Sequence, residues 1–380
     1  ELGARNAAQP YLTQLEQVMG DDSSGINSGL DAFFSALNAA SVDPTSNPLR
    51  QQVITAAEAL AQRFNSLYQV MSNQRAAVAQ QRLAVVDQVN SLSAGIAKLN
   101  QQIADSLGAG INPSALIDAR DRKIDELSGL VDVQVVNQAD GTRSVSLRGG
   151  QPLVLGARSA KMTAVYNPDG SQTLTVGFAS ESFTLIGNRL GGQLGGLDWY
   201  ESDVLVPMID SVCGMADQLA NNVNNQLAAG FAPDGTPGQP LFDFDSTGVT
   251  GILKLRPGAV GSELAFSSDA ATPGNSDNLM QLIALRTQPV TLATLGSVSL
   301  ADAATQLVGT LGTQSQQNQA LLNTAETVRN QAEESWKGTS GVNTDEEAVN
   351  LMQYQQLYQA NLKVVAVANA LFDSTLAMIG

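Results

Sequence analysis

The sequence has no histidine and only one cysteine, Cys213, among its 380 residues. Without histidine, the chain cannot build a Ser-His-Asp or Cys-His nucleophile pair, an imidazole general base or a histidine-ligated metal site. A single cysteine also excludes an intrachain disulfide and a cysteine zinc cluster. Because these absences remove the residues on which many enzymes depend, we predict no catalysis, no cofactor and no bound metal.

Charged residues are scarce as well, at 15% of the chain, and 36 acidic residues against 20 basic ones give a net charge of −16. Nucleic-acid binding needs clustered Lys and Arg, so this balance argues against a nucleic-acid partner and against an anionic membrane surface. The sequence contains no run of about 20 apolar residues, which argues against a membrane span. The length predicts two or three domains with a sizeable core.

The apolar residues between Leu49 and Leu107 predict one long helix. This segment has no proline and a single glycine, Gly95. A second helix is predicted over Ser114–Leu130, after the Gly- and Pro-containing stretch 108–113. The apolar residues of the long helix recur at alternating spacings of four and three, which is typical of a coiled-coil seam. They are Val85, Val89, Leu92, Ile96, Leu99 and Ile103, extended backwards by Val78.

Alternating apolar residues over 133–187 predict an antiparallel β lobe, with hairpin turns at Asp140-Gly141 and Asp169-Gly170. The helical period then returns, and Pro207 is expected to kink the next helix or to lie in its first turn. A second, Gly- and Pro-rich β excursion follows over 237–275. Its short strand-like pieces are Leu253–Leu255 and Leu264–Phe266.

We predict an α+β fold, an elongated helical bundle built from both chain ends with two small β-rich insertion lobes. The predicted domains follow in chain order. They are a helical part over 1–132 with its long helix at about 49–107, the β lobe 133–187, a helical return 188–236, the excursion 237–275, and a helical part 276–380 with a terminal helix at about 345–380.

Two stretches imitate ligand-binding motifs but lack their defining residues. Asp243, Asp245 and Thr247 have the alternate spacing of a calcium loop, yet position twelve is Lys254 instead of a bidentate glutamate, which favours a polar turn. The glycine-rich stretch 187–196 has neither the Gly-x-Gly-x-x-Gly spacing nor a Gly-Lys-Ser/Thr ending. We therefore expect it to be a flexible return from the β lobe.

The charged residues on the second helix favour structure over chemistry. Asp118–Arg122 and Arg122–Glu126 have i,i+4 spacing, which predicts ion pairs on a solvated helix and not a catalytic carboxylate pair. Cys213 shares a helical face with Ile209 and Val212, so we expect a buried small hydrophobe and not a reactive thiol.

The terminal helix carries an apolar seam. Thr344 and Glu347 have capping-box spacing, and the acidic residues beside them suit the start of a helix. The spacing of the seam favours an intramolecular core, while its position at the end of the sequence leaves packing against other subunits open. The seam consists of Leu351, Tyr354, Tyr358, Leu362, Val365, Phe372, Leu376 and Ile379.

Residues 340–365 read SGVNTDEEAVNLMQYQQLYQANLKVV. This stretch closely resembles the C-terminal motif of flagellar axial proteins, which have a Ser-Gly-Val-Asn-x-Asp-Glu-Glu start followed by Tyr-Gln-x-x-Tyr-Gln-Ala-Asn. Rod and hook proteins have related versions, so the motif indicates a flagellar protein without placing it along the axis. The signature residues here are Asn343, Asp345, Glu346 and Glu347.

Residues 116–131, LIDARDRKIDELSGLV, are more specific. They resemble the Leu-x-Asp-x-Arg-Asp…Glu-Leu-Ser signature of the FlgK family, and similarity continues over 30–54, 96–104 and 215–242. The chain starts at Glu1 without Met, and we expect that it lacks the family's N-terminal segment, which pairs with the C-terminal helix. The signature residues are Leu116, Asp118, Arg120, Asp121, Glu126 and Leu127.

This resemblance implies a structural adaptor outside the cell that joins the hook of the bacterial flagellum to its filament. It implies export in an unfolded state, without a cleaved signal peptide, by the flagellar type III route. The implied partners are other copies of the chain in a junction ring, the hook protein, the next hook-associated protein and an export chaperone. The residues that we expect to contact subunits or chaperone are Tyr354, Tyr358, Leu362, Val365 and Phe372.

Two alternatives remain open at this point. The chain could be another axial protein of hook or rod type, although the Arg120-Asp121 signature argues against it. One β lobe could instead be a surface-exposed adhesin or enzyme domain on a structural stem. The first alternative predicts a different deletion phenotype, and the second predicts that the isolated lobe binds host-cell components.

Overall fold

The computed structural model describes residues 1–20, 25–248, 251–340 and 344–379. The chain forms two compact units, Glu1–Asn323 and Thr324–Gly380. Helix accounts for 64% of the chain and strand for 13%, and the strands form small antiparallel sheets. The predicted α+β fold class is thereby confirmed.

The first unit begins with four helices: α1 (Leu2–Met19), α2 (Ile26–Ala40), α3 (Asn47–Gly108) and α4 (Ser114–Leu130). Helix α3 spans roughly 93 Å at about 1.5 Å per residue, and its first turn contains a proline, which suits a helix start. Both predicted helices are confirmed, and α4 has the predicted bounds.

The apolar seam of α3 is buried, as its spacing predicts. Val85, Val89, Ile96 and Ile103 are at most 2% exposed. Among the described residues of the first unit, however, no single helix packs against the seam along its whole length. Helix α3 packs in turn against α2, α4 and several strands of the β lobe, so a coiled-coil spacing here serves a mixed helix–sheet core.

Seven strands follow α4 and form two antiparallel sheets, with orders β1-β2-β3-β4 and β5-β6-β7. Asp140-Gly141 and Asp169-Gly170 form the predicted hairpin turns, and both glycines have positive φ, 81° and 80°. The strands are β1 (Val133–Asn137), β2 (Arg143–Leu147), β3 (Pro152–Leu155), β4 (Arg158–Ser159), β5 (Lys161–Tyr166), β6 (Gln172–Phe178) and β7 (Glu181–Thr184).

The glycine-rich stretch after the β lobe is not the flexible return that its composition suggests. It forms a short 3-10 turn and then α5 (Gly192–Trp199), whose glycines are buried. A Cβ on Gly196 would lie 2.1 Å from the Ala4 carbonyl oxygen, and a Cβ on Gly192 would lie 2.5 Å from the Leu130 carbonyl carbon. The glycines therefore allow α5 to pack directly on the backbones of α1 and α4.

Helix α5 continues through a π-helical segment, Tyr200–Leu205, into α6 (Val206–Ala228). Pro207 lies in the first turn of α6, directly after the π-helical segment. Leu205, Val212 and Leu219 lie in the core, as the helical period predicts.

The second excursion contains one hairpin, β8 (Phe242–Phe244) with β9 (Leu253–Leu255). The other predicted strand, Leu264–Phe266, is wrong: these residues form a buried extended segment with a single bridge, between Ser267 and Phe231. Helix α7 (Asp277–Ala284) follows. A hairpin that the sequence did not predict, β10 (Val290–Leu292) and β11 (Gly296–Val298), leads into α8.

The chain ends with α8 (Leu300–Ser340) and α9 (Thr344–Ile379). The first part of α8 belongs to the first unit, where Leu300, Ala303 and Leu311 are buried. Asn318 donates to the Arg5 carbonyl oxygen at 3.1 Å, so α8 packs against α1. Helices from the beginning of the sequence and from its last third thus share one bundle.

Candidate functional site

The predicted contact residues on α9 are exposed. Tyr354 is 70% exposed, Tyr358 67%, Leu362 51% and Val365 56%. Their spacing places all four on one face of the helix. These four side chains form a largely apolar, exposed face on α9.

Several sequence predictions fall outside the described part of the chain. They concern Asn343 and the side chains of Thr344, Asp345, Glu346, Glu347, Phe372, Leu376 and Ile379. The start of α9 itself is described, and Thr344 as its first residue matches the predicted start of the terminal helix.

The FlgK-like signature on α4 surrounds a buried arginine. Arg120 is 2% exposed, and its Nη1 donates to the Gly141 carbonyl oxygen at 2.8 Å and to Asn100 Oδ1 at 3.4 Å. Burial and the neighbouring charge of Arg143 lower the pKa of Arg120. Arg120 thus holds the turn between β1 and β2 against α3 and α4.

Asp121 supplies the balancing charge for this arginine. Its Oδ1 accepts from Arg120 Nε at 3.3 Å and forms a closer ion pair with Arg143 Nη1. The predicted Asp118–Arg122 ion pair is wrong, because Arg122 Nε donates to the backbone carbonyl oxygen of Asp118 and not to its carboxylate. The other signature residues divide between core and surface: Leu127 is buried, Leu116 half-buried, and Asp118 and Glu126 exposed.

Helix asparagines hold the strands in a recurring arrangement that the sequence reading missed. We call it an amide clamp: the side-chain amide accepts from the N–H and donates to the C=O of one strand residue. Asn90 clamps Met162 of β5 at 2.7 and 2.8 Å, and Asn100 clamps Arg143 of β2 at 3.1 and 2.8 Å. Each amide thereby satisfies two backbone groups that no strand partner reaches.

Two further clamps hold the second excursion. Asn65 of α3 bonds Leu253 N and O at 3.0 and 2.7 Å, and Asn224 of α6 bonds Phe242 N and O at 3.0 and 2.7 Å. Of the four clamps, that of Asn100 could have been predicted from the sequence, because Asn100 lies on the seam side of α3, three residues before Ile103. Polar residues on a buried face need hydrogen-bond partners.

A buried ion pair connects α3 with the π-helical segment. Arg82 and Glu201 are 2% and 7% exposed, and Arg82 Nη2 donates to Glu201 Oε2 at 2.6 Å. Arg75 Nε donates to the other carboxylate oxygen at 3.2 Å, and Arg82 Nη1 donates to Gln172 Oε1 of β6 at 2.9 Å. The group therefore joins a helix, the π segment and a sheet.

Beside this ion pair, Tyr11 and Tyr200 stack with ring centroids 5.3 Å apart. The Tyr200 hydroxyl donates to Gln74 Oε1, and Gln74 Nε2 donates to Gln14 Oε1 at 3.1 Å. Burial raises the pKa of Tyr200 well above its ordinary value, so the hydroxyl stays protonated and acts as a donor.

Arg50 is fully buried and is held by carbonyl oxygens. Its Nε donates to Pro44 O at 2.5 Å, and its Nη1 donates to Leu264 O at 2.5 Å and Gly261 O at 3.2 Å. The guanidinium lies 4.4 Å from the centroid of the Phe266 ring. Burial lowers the pKa of Arg50 to about 10, which leaves it charged at neutral pH.

The remaining candidates for chemistry have structural roles. Cys213 is half-buried, and burial raises the pKa of its thiol to about 11, which opposes thiolate formation. At the calcium-loop imitation, Asp245 Oδ1 accepts from Thr247 N and Oγ1 at 2.9 and 2.8 Å, and Lys254 pairs across the hairpin with Asp243. The predicted polar turn is confirmed.

Within the described ranges, no group of three or more Cys, Asp or Glu side chains has a geometry that could hold a metal ion. In the same residues, none of the helices is both long and apolar enough to cross a membrane. The geometry thus consists of an exposed apolar face on α9 and buried polar groups that fix the β lobe and the second excursion to the helices.

Comparisons with known proteins agree with both motifs. The family model of the flagellar hook-associated protein FlgK helical domain matches residues 12–242, and the model of the flagellar basal body rod FlgEFG protein C-terminal region matches residues 338–378. Two relatives carry the name flagellar hook-associated protein 1. The Bacillus subtilis protein is 27% identical over 97% of this chain and 79% of its own length, and the Salmonella typhimurium protein is 27% identical over 98% and 86%.

Among solved structures, the chain is similar to the flagellar hook junction protein FlgK from Burkholderia pseudomallei. The TM-score is 0.60 at 32% sequence identity, and the match covers 64% of this chain and 45% of that one. The chain thus spans less than half of the solved protein, but most of the two curated relatives.

Proposed function

The chain belongs to the FlgK family of flagellar hook-associated proteins, and on that premise we propose that it is a structural subunit that joins hook to filament in the bacterial flagellum. The observation that carries this proposal is the match of the FlgK helical-domain model to residues 12–242, more than half of the chain. Two relatives that match nearly the whole chain carry the name flagellar hook-associated protein 1, which agrees with this proposal.

The shared rod-type match at residues 338–378 supports a role for the terminal helix in the axial lattice. We propose Tyr354, Tyr358, Leu362, Val365 and Phe372 as the contact residues. The exposure of the four described side chains supports this assignment, because water-exposed tyrosines and aliphatic residues on one helix face gain free energy when a partner covers them. The neighbouring subunits, the hook protein and the next hook-associated protein are the proposed partners in the lattice.

The same apolar face suits an export chaperone before assembly. We propose that a chaperone covers this face in the cell, that the chain then leaves unfolded by the flagellar export route without a cleaved signal peptide, and that subunits take the place of the chaperone outside. A face that is apolar and uncovered favours aggregation, which gives such a chaperone a physical purpose.

The proposed domain division keeps the helical parts 1–132, 188–236 and 276–380 as the stem and assigns 133–187 and 237–275 to outward lobes. The amide clamps and the Arg120 group support a mechanical role for the stem, because they fix strands to α3, α4 and α6 with hydrogen bonds. We propose that the chain has no enzymatic activity, in keeping with its structural relatives.

A deletion strain provides the direct test. Cells without the gene should have hooks but no filaments, and expression of this chain together with any segment that its gene encodes beyond it should restore filaments in electron micrographs. Filaments of normal length in the deletion strain would refute the junction role. Loss of the hooks themselves would indicate the alternative function, a hook or rod protein.

A further inference from the structure

Some strand edges of the β lobe are covered by side-chain amides or are short and charged, and other edges are open. Asn90 clamps the open edge of β5 at Met162, and Asn100 clamps β2 at Arg143 beyond the end of β3. The edge strand β4 has two residues and carries Arg158, and short, charged edges discourage pairing with other chains. The edges of β1 and β7 have no such protection among the described residues.

The ladder of β1 and β2 shows which groups of β1 point outward. Gln138 N donates to Thr142 O, and Arg148 N donates to Asp132 O, so the residues with even numbers on β1 bond to β2. In an antiparallel ladder the alternate residues direct their N–H and C=O away from the partner. Val133, Val135 and Asn137 therefore present free donors and acceptors at the sheet edge.

The same argument applies to β7 at the edge of the other sheet. Leu185 N donates to Leu174 O, and this pairing continues through Phe183 and Val176. Ser182 and Thr184 therefore direct their backbone groups outward, and every residue of β7 is exposed. The lobe thus has two different open edges, each several residues long.

We propose that β1 pairs, as an added strand, with β7 of a second copy of this chain. Two different edges that meet give a head-to-tail contact, which repeats from subunit to subunit and can close into a ring. The proposal rests on the junction function proposed above, since it assigns one lateral contact of that assembly.

Charge favours a second copy as the occupant. Each copy carries a net charge of −16, so most approaches of two copies are repulsive, whereas the segment 133–139 has no charged residue. In an antiparallel pairing, the Glu181 end of β7 meets the Asn137 end of β1. There Arg143, whose Nη1 pairs with Asp121, donates through Nε to Asn137 Oδ1 at 2.8 Å, so the acidic residue arrives beside a guanidinium.

Disulfide crosslinking in assembled flagella tests the pairing. Val135→Cys and Ser182→Cys are combined with Cys213→Ser, because directly paired strand residues have Cα atoms about 4.5–5.5 Å apart, within reach of a disulfide. After mild oxidation of isolated hooks with filaments, we expect a ladder of covalent oligomers on a non-reducing gel. Each single cysteine variant should give monomer only.

The outcomes separate this pairing from the junction role. Filaments without a ladder overturn the pairing and leave the junction role intact, and a dimer from Val135→Cys alone indicates a two-fold β1 contact and also overturns it. Val165→Lys is the control for Val135→Lys, because Val165 is also an exposed valine on a strand. The pairing is supported if only Val135→Lys abolishes filaments while both variants have wild-type circular dichroism. Normal filaments with both lysine variants contradict it.

Discussion

The side-chain amide of Asn100 takes the place of a neighbouring strand beside Arg143. Strand β3 pairs with β2 only at Val145 and Ser146, and one step further the Asn100 amide bonds Arg143 N and O at 3.1 and 2.8 Å. The same Nδ2 donates to Gly156 O at 2.8 Å. A helix residue thus completes a sheet, which fixes the position of the β lobe along α3.

Removal of a clamp should destabilise the first unit. Asn90→Ala leaves the N–H and C=O of Met162 without their side-chain partners, and unpaired backbone groups in a partly buried place cost about 2 kcal/mol together. Urea unfolding followed by circular dichroism measures the change. Asn73→Ala on the exposed side of the same helix is the control and should stay within about 0.5 kcal/mol of wild type.

Removal of the buried negative charge of Glu201 should lower the free energy of unfolding more than removal of a clamp does. Glu201→Gln keeps the shape of the side chain but leaves Arg82, 2% exposed, without its counter-charge, which costs roughly 3–5 kcal/mol. Asp203→Asn, on the exposed side of the same π-helical segment, should change the free energy of unfolding by less than about 0.5 kcal/mol. Equal free energies for the two variants would refute the assigned role of Glu201.

The single thiol should react slowly in the folded chain. Because burial raises the pKa of Cys213 to about 11, its thiolate fraction at pH 8 should be roughly 100-fold below that of a thiol with a pKa near 9. Reaction with a chromogenic disulfide reagent, measured in buffer and in urea, tests this. A native rate equal to the unfolded rate would contradict the prediction.

The same thiol predicts a pH dependence of stability. The folded state holds the thiol proton more tightly than the unfolded state, so the stabilisation is complete below pH 9 and declines as the pH rises towards about 11. The urea midpoint should therefore fall less over this range in Cys213→Ser than in the wild type. Identical pH profiles would exclude Cys213 as a contributor.

Charges on the seam of α9 should block assembly. The double variant Tyr358→Glu with Val365→Glu should abolish chaperone binding or junction assembly, because a partner would have to bury two carboxylates. Leu357→Glu with Val364→Glu is the matched control, since these equally exposed residues lie about 100° around the helix from the seam residues. Chaperone titration by calorimetry and filament counts measure the two effects.

If the seam variant binds chaperone and assembles as the wild type does, the assignment of the contact face is wrong. Loss of function in both double variants would instead indicate that the whole surface of α9 is needed, and not one face.

Periodicity explains which parts of the fold were predictable. The bounds of α3 and α4 and the hairpins at Gly141 and Gly170 follow from short-range spacing and turn chemistry, which depend on neighbours in sequence. The ion pair between Arg82 and Glu201 joins residues 119 positions apart, and no local pattern specifies it. The prediction for the glycines of α5 was wrong because a glycine-rich segment usually indicates conformational freedom. In this fold the absence of Cβ atoms instead permits close contact between backbones.

The candidate site divides in the same way. The proposed contact face on α9 could be predicted from the motif, since residues with helical spacing within one short segment share a face of the helix. The role of Arg120 needed the tertiary structure, because its acceptors on Gly141 and Asn100 come from two other elements.

The clamps of Asn65, Asn90 and Asn224 contain only amides and backbone groups, none of which gains or loses a proton in ordinary media. Dissolved ions screen charges but leave such neutral hydrogen bonds almost unchanged. At these three attachment points the strands should therefore stay fixed to the helices when the acidity or the ionic strength of the medium changes.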